Sequence, residues 1–348
     1  MAAHPLGLSV GERDDESRRG FLQVHEPIGL AGLLSRRGRW AWRTRAAAPA
    51  AEQGFRWGWR ETFSPSWWPQ GIDVQGSGGE RVIVVSWFSK RRGRQVATRL
   101  SFVTSTDTSR PRVRHVLLVE PGPRGGLRPI TVHAGGIAWH GDRIYVADTF
   151  GGLRSFRIDE IVRVRRERWG RLPAGARHHR YALPQEAMFA ARTPKGTRRM
   201  RYSFVSLEDA PEGPRLVVGE FRGVGEDSRL ARFELDPASG EIPDGTVLEL
   251  HEATPARMQG ACIVDGTWVL TTSADMRTGG DLWVGEPSAL VRHRRVLAPA
   301  PEDIAHERGT RMLWTLNERP GRRVVYRIDL DRWLAEPGEP GEPEVLSD

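Results

Sequence analysis

The chain has 348 residues, of which 39% are hydrophobic and 28% charged, and no apolar run approaches the roughly eighteen residues that a membrane-crossing helix requires. A soluble globular protein without a membrane partner is expected. Its single cysteine, Cys262, excludes an internal disulfide framework and an all-cysteine metal site. The formal charge of +8 is carried almost wholly by arginine, with only Lys90 and Lys195 as lysines, a bias typical of GC-rich genomes. The basic clusters KRRGR (90–94), RVRRER (163–168) and RHRR (292–295) lie far apart, whereas a nucleic-acid face concentrates charge on one element, so no specific nucleic-acid partner is expected.

Residues 1–20 are mostly polar and lack the basic-then-apolar order of a secretory signal, so they are expected to be extended or disordered, and the protein cytoplasmic. Residues 21–25, FLQVH, read as an isolated strand. Residues 32–49 are rich in Arg, Ala and Trp, with helical character near 33–45. Regular patterning begins near Trp68. The clearest unit is residues 131–158, TVHAGGIAWHGDRIYVADTFGGLRSFRI. In it a Gly141-Asp142 pair joins two strand-like runs and FGG turns the chain back into a third, an antiparallel meander.

Similar units recur. The first runs GIDVQG, RVIVVSWF, ATRLSFVT and RHVLLVEP; the second is the stretch just quoted, with HRYAL (179–183) as its fourth strand. The third reads RYSFVSLED, RLVVGEF, RLARFEL and TVLELHE, and the fourth QGACIVDG, TWVLTTSAD, GDLWVGE and RHRRVLA. The fifth reads EDIAHERG, RMLWTLNE and RRVVYRIDL, and its fourth strand is missing before a Pro- and Gly-rich tail at 336–348. Four-strand units repeating at this scale predict an all-β fold, a single β-propeller over residues 21–335. Five blades are favoured over six, with residues 21–66 closing or capping the ring and blades over 67–335. FLQVH is the expected closing strand, since an open ring would leave sheet edges exposed.

The repeat places a site. Because the first two strands of a blade are antiparallel, residues just before the first and at the end of the second meet at one mouth of the ring. The former are Gln70-Gly71, His133 to Gly136, Gln259-Gly260 and Pro301-Glu302-Asp303; the latter are Ser86, Asp148, Glu220, Ser273 and Asn317. Polar residues at strand ends also satisfy orphan backbone groups, but their convergence on one mouth predicts a pocket. The segment 181–195 reads as an insertion that folds over the mouth and delivers Gln185. His133, titrating near neutrality, is the expected proton-transfer residue, with Glu302 and Asp148 as partners. Gln70, Gln185, Gln259, Glu220, Ser273 and Asn317 would bind substrate. No cofactor is implied, or else a divalent cation such as Ca²⁺ held by Glu302, Asp303 and Asp148. Cys262 lies in an apolar strand and reads as a buried structural thiol. Residues 178–179 read as exposed loop, and Glu318-Arg319-Pro320-Gly321 as a turn carrying a strand-end acid. Trp57, Trp59, Trp67 and Trp68 would line the mouth or pack beneath an N-terminal plug.

The motifs HAGGIAWHGDRIYVADTFGGLRSFRI, MQGACIVDGTWVLTTS and PEDIAHERGTRMLWTLNERPG resemble an uncharacterised group of actinobacterial β-propeller proteins over residues 67–333. More distantly the chain is similar to lactonase-like and strictosidine-synthase-like propellers, in which polar channel residues hold a metal or the catalytic acid; none of those residues matches here position by position. The expectation is an enzyme binding a small molecule, a lyase, isomerase, cyclase or hydrolase acting on a secondary metabolite by acid–base or metal-assisted chemistry. The alternative is a non-catalytic platform for a protein partner.

Overall fold

The computed structural model describes residues 6–340 except 12, 77–80, 106–109, 166, 168–171, 173–175, 178, 244 and 246. His178, residues 341–348 of the tail and part of the expected RVRRER cluster therefore lie outside the described residues. Twenty of the described strands form five four-stranded antiparallel units, the first two joined into one sheet by parallel pairing of Tyr181–Arg192 with Arg112–Gly122. Blade 1 holds Trp67–Gln75, Arg81–Arg91, Arg94–Ser105 and Arg112–Gly122. Blade 2 holds Ile137–His140, Arg143–Asp148, Gly152–Arg157 and Tyr181–Arg192. Blade 3 holds Phe204–Ala210, Gly213–Gly219, Ser228–Glu234 and Val247–Thr254. Blade 4 holds Met258–Val264, Thr267–Thr272, Asp281–Glu286 and Ala289–His293. Blade 5 holds Pro301–His306, Met312–Asn317 and Val324–Asp329, completed by Gln53–Arg56.

Period-two alternation makes a ring of these sheets. Successive side chains on a strand point to opposite faces, so each inner blade face packs on a different neighbour. Ala261 and Ile263 of blade 4 pack with Phe204 and Val217 of blade 3, while Cys262 between them packs with Ile304 and Tyr326 of blade 5. Similar cores join blades 1 and 2 through Val84, Phe102, Ile137 and Val146, and blades 2 and 3 through Tyr145, Leu153, Val205 and Phe233. The last core joins blade 5 back to blade 1 through Trp314, Val325, Ile83 and Trp87. The cycle is closed, and the fold is a β-propeller.

Closure comes from the N-terminal segment, but not from FLQVH. Those residues end a helix, Asp15–Val24, whose first turn is capped by Asp14 accepting from the Ser17 N–H at 2.9 Å. Phe21 buries its ring among Ala97, Leu117 and Val119 on the outside of blade 1. Residues 6–11, expected to be extended or disordered, include the strand Gly7–Val10, paired along Tyr181–Arg192. The helical character expected near 33–45 is confined to Gly29–Leu34; beyond it lie the short strands Arg39–Trp40 and Trp42–Arg45. The closing strand is Gln53–Arg56, with Phe55 opposite Val325 and Gly54 opposite Tyr326.

The inner strands approach one another where glycine allows it. A Cβ on Gly71 would lie 2.7 Å from the Gly136 Cα, and one on Gly136 would meet the Val205 N and lie 2.7 Å from the Phe204 Cα. Gly136→Ala must therefore part blades 2 and 3 against backbone, not side chain. It is expected to cost about 3 kcal/mol or somewhat more in urea unfolding; a variant within 0.5 kcal/mol of the parent, the roughly neutral range, would contradict this packing.

Candidate active site

Residues before the first strands and at the ends of the second do meet at one mouth. Ser86 Oγ accepts from the Gly71 N–H at 2.7 Å and donates to the Ala134 carbonyl of the next blade at 2.6 Å. Within blades 4 and 5 backbone bonds tie the same two ends together, the Ser273 N–H reaching the Arg257 carbonyl at 3.2 Å and the Glu318 N–H the Ala300 carbonyl at 3.1 Å. Ala134, Arg257 and Ala300 all hold positive φ, near +56°, +58° and +54°. This left-handed residue just before an inner strand turns the chain from the mouth into the ring.

At this mouth lies a cavity of about 710 Å³. Gln70, His133, Asp148, Gln259 and Glu302 of the expected set all line it, so His133 and Asp148 do share one face. Around them stand Glu318, Gln95, Lys90 and Arg201, with the aromatic rings of Trp68, Phe88, Phe150 and Phe221.

Two carboxyls dominate its chemistry. Glu302 is almost fully buried, and burial first, then the negative charges of Glu318 and Asp303, holds its pKa well above the ordinary glutamate range. Glu318 is also raised by burial, but Gln70 Nε2 donates to its Oε2 at 2.8 Å and the Arg323 guanidinium acts in the opposite sense. Gln70 itself is fixed by a 2.7 Å bond to the Pro69 carbonyl.

His133 does not titrate near neutrality. Its ring stacks on Phe88 at 4.5 Å between centroids, and burial together with the Lys90 charge lowers its pKa to about 4. It is a neutral imidazole, with Nδ1 3.5 Å from Gln95 Nε2. Asp148 is held by Arg154 at 2.9 Å and by the Gly151 N–H at 3.2 Å. Gln259 donates to Ser273 Oγ at 2.8 Å, so Ser273 positions an amide and is not itself among the cavity-lining residues.

Other expected site residues lie elsewhere. Gln185 belongs to the outer strand of blade 2, opposite Phe156, where its Oε1 accepts from Arg154 at 2.6 Å; the segment 181–195 is that strand, Tyr181–Arg192, and not a flap over the mouth. Glu220 is fully buried in ion pairs with Arg222 at 2.8 Å and Arg229 at 2.9 Å. Asn317 joins the Pro299 carbonyl to the Val324 N–H. The proposed cation ligands do not converge. Glu302 lines the cavity, whereas its neighbour Asp303 does not and lies in the ring, its Oδ2 accepting from the Ile72 N–H of blade 1 at 3.0 Å. Among the described residues no group of three or more His, Cys, Asp or Glu is arranged to hold a metal. Cys262 is buried, as expected. His179 is not exposed loop but half-buried, packed on Trp67.

A second constellation looks catalytic. Ser101 Oγ lies 2.8 Å from His115 Nδ1, and His115 Nε2 lies 3.1 Å from Glu61 Oε1. Ser101 is completely buried and lines neither described cavity, so no substrate reaches its hydroxyl. The trio instead anchors the short helix Trp59–Thr62 to blade 1.

No family model matches the chain, and no curated protein does. Among solved structures, it is similar to a β-xylosidase/α-arabinofuranosidase of glycoside hydrolase family 43 from a compost microbial metagenome, at 10% identity over 87% of this chain and all of that one, with a TM-score of 0.44. It is also similar to a family 43 enzyme from Xanthomonas citri complexed with xylose, at 11% identity over 77% of this chain and 90% of that one, with a TM-score of 0.39. A nidogen/laminin complex matches at 10% identity over 83% and 90%, with a TM-score of 0.38. These likenesses are too distant to say anything of this chain's chemistry.

Proposed function

We propose that the mouth cavity is the active site of a general acid–base hydrolase that cleaves an acetal-type C–O bond, such as a glycosidic bond, in a small hydroxylated molecule. The supporting observation is the Glu302–Glu318 pair. Two carboxyls whose surroundings push their proton affinities apart provide an acid and a base in one site. Glu302, the more strongly raised, is the proton donor to the leaving oxygen. Glu318, with a donor from Gln70 and a nearby guanidinium, ionises first and takes a proton from the attacking water. The C–O bond breaks as water adds, and the two carboxyls end with their protons exchanged, to be reset by solvent.

The remaining lining suits a hydroxylated ligand. Gln70, Gln95 and Gln259 offer amides, neutral His133 offers a ring nitrogen, and Trp68, Phe88, Phe150 and Phe221 offer apolar faces. His133 is thereby assigned to binding. A platform for a protein partner would leave this carboxyl pair, one buried and one half-buried, without a purpose. The test is release of 4-nitrophenol from a panel of aryl glycosides. Saturable turnover of at least one, lost in Glu318→Gln at unchanged melting temperature, is expected; turnover that survives Glu318→Gln, or none on any substrate, contradicts the assignment.

A further inference from the structure

Two cations on the cavity wall stand outside the ion pairs of its carboxyls. Burial raises the pKa of Glu302, Glu318 feels the charges of Arg323 and, more weakly, Lys90, and Asp148 is paired with Arg154. Lys90 and Arg201 also line the cavity, from blade 1 and from the lead-in to blade 3. Among the described residues neither makes an ion pair within 4.0 Å. Lys90 is fixed through its backbone N–H to the Ser66 carbonyl at 2.8 Å and holds its ammonium 4.8 Å from the Phe88 ring centroid, the ring on which His133 stacks. The Arg201 backbone N–H is anchored on Glu220 at 2.8 Å, while its guanidinium makes only a long 3.4 Å contact to the Phe221 carbonyl. Glu220 cannot neutralise it, being already shared among Arg198, Arg222 and Arg229. The lead-in to blade 3 is therefore cationic, with Arg198, Arg199 and Arg201 in one short run.

From this geometry we infer that the substrate carries a fixed negative charge, seated against Arg201 and Lys90 while its scissile bond lies at Glu302. A guanidinium on a half-buried wall is suited to an oxyanion, which it meets with two parallel donors. The inference rests on the acid–base reading but is tested separately, by binding. Calorimetric titration at low salt would compare glucose with glucuronate, glucose 6-phosphate and glucose 6-sulfate, using the wild type and the Glu302→Gln protein. At least one anionic sugar is expected to bind about tenfold or more tightly than glucose, the preference falling with added salt. The member that binds distinguishes carboxylate, phosphate and sulfate. Arg201→Met should abolish the preference, Lys90→Met should reduce it, and Arg201→Lys should retain part of it, with melting temperatures reporting that each variant folds. Equal affinity for glucose and the anions, binding of none, or a preference that survives Arg201→Met overturns the inference. Turnover of neutral glycosides without anion preference would sink this inference alone; anion binding without turnover would sink only the hydrolase reading.

Discussion

Glu302→Gln is expected to lower kcat by a factor on the order of 10²–10⁴, the usual worth of a positioned general acid, while leaving the fold in place. Glutamine keeps the size of the side chain and resembles the protonated carboxyl that burial favours, and the Glu302 carbonyl still accepts from Thr271 Oγ1 at 2.8 Å. The pH dependence gives a second readout. In the wild type the alkaline limb of kcat reports loss of the Glu302 proton, and the acid limb reports protonation of Glu318. Residual activity in Glu302→Gln should lack the alkaline limb. Stability moves the other way. Because burial raises the pKa of Glu302 in the folded state, its contribution is fully present below the unfolded value near 4.5 and lost as pH rises through the folded value. The variant should therefore melt higher than the wild type on the alkaline side and nearly with it in acid. An unchanged kcat would remove Glu302 from the chemistry, and a melting temperature depressed at every pH would contradict the raised proton affinity assigned to it.

Much of this was legible in the sequence, for a physical reason. Strands written with period two, separated by Gly-containing turns, specify both the sheets and the mouth at which their ends gather, and that sufficed to bring His133 and Asp148 together. The base of the pair was less legible. Glu318 follows Asn317, the last residue of its strand, so it reads as a turn residue; alternation directs Asn317 into the blade and leaves Glu318 at the mouth. FLQVH failed as a strand because five residues fit either period. The discriminating signal lay upstream in Asp14, Asp15, Glu16 and Ser17, a capped acidic first turn. Gln185 was misplaced because the link between the third and fourth strands of blade 2 is long, which made an outer strand look like an insertion. The suppression of His133 titration depends on Phe88 and Lys90, from another blade, and no local pattern records that contact.

Removal of residues 1–57 is expected to prevent folding altogether. The segment Gln53–Arg56 is the fourth strand of blade 5, and without it the backbone of Val324, Val325 and Tyr326 becomes an open edge. Its loss also strips the core between blades 5 and 1. Phe55 and Trp57 are each about 1% exposed there, with Trp57 edge-on to both Phe55 and Trp87 at 5.3 and 4.8 Å. Loss of one such aromatic side chain costs about 3–5 kcal/mol, and losing two approaches the whole stability of a typical domain, about 5–15 kcal/mol. The truncated chain should show no cooperative thermal transition and should aggregate. Truncation removes much besides the strand, so Gly54→Val isolates the closure itself. Any Cβ at that position meets the Val325 carbonyl and comes within 2.6 Å of the Tyr326 Cα, backbone that has nowhere to retreat without unpairing. That variant should lose its closing contact while blades 1 to 4 keep their own strands. Limited proteolysis is expected to cut it between residues 45 and 62 well below its melting temperature. If Gly54→Val resists cleavage as the wild type does, the ring is not closed by this strand.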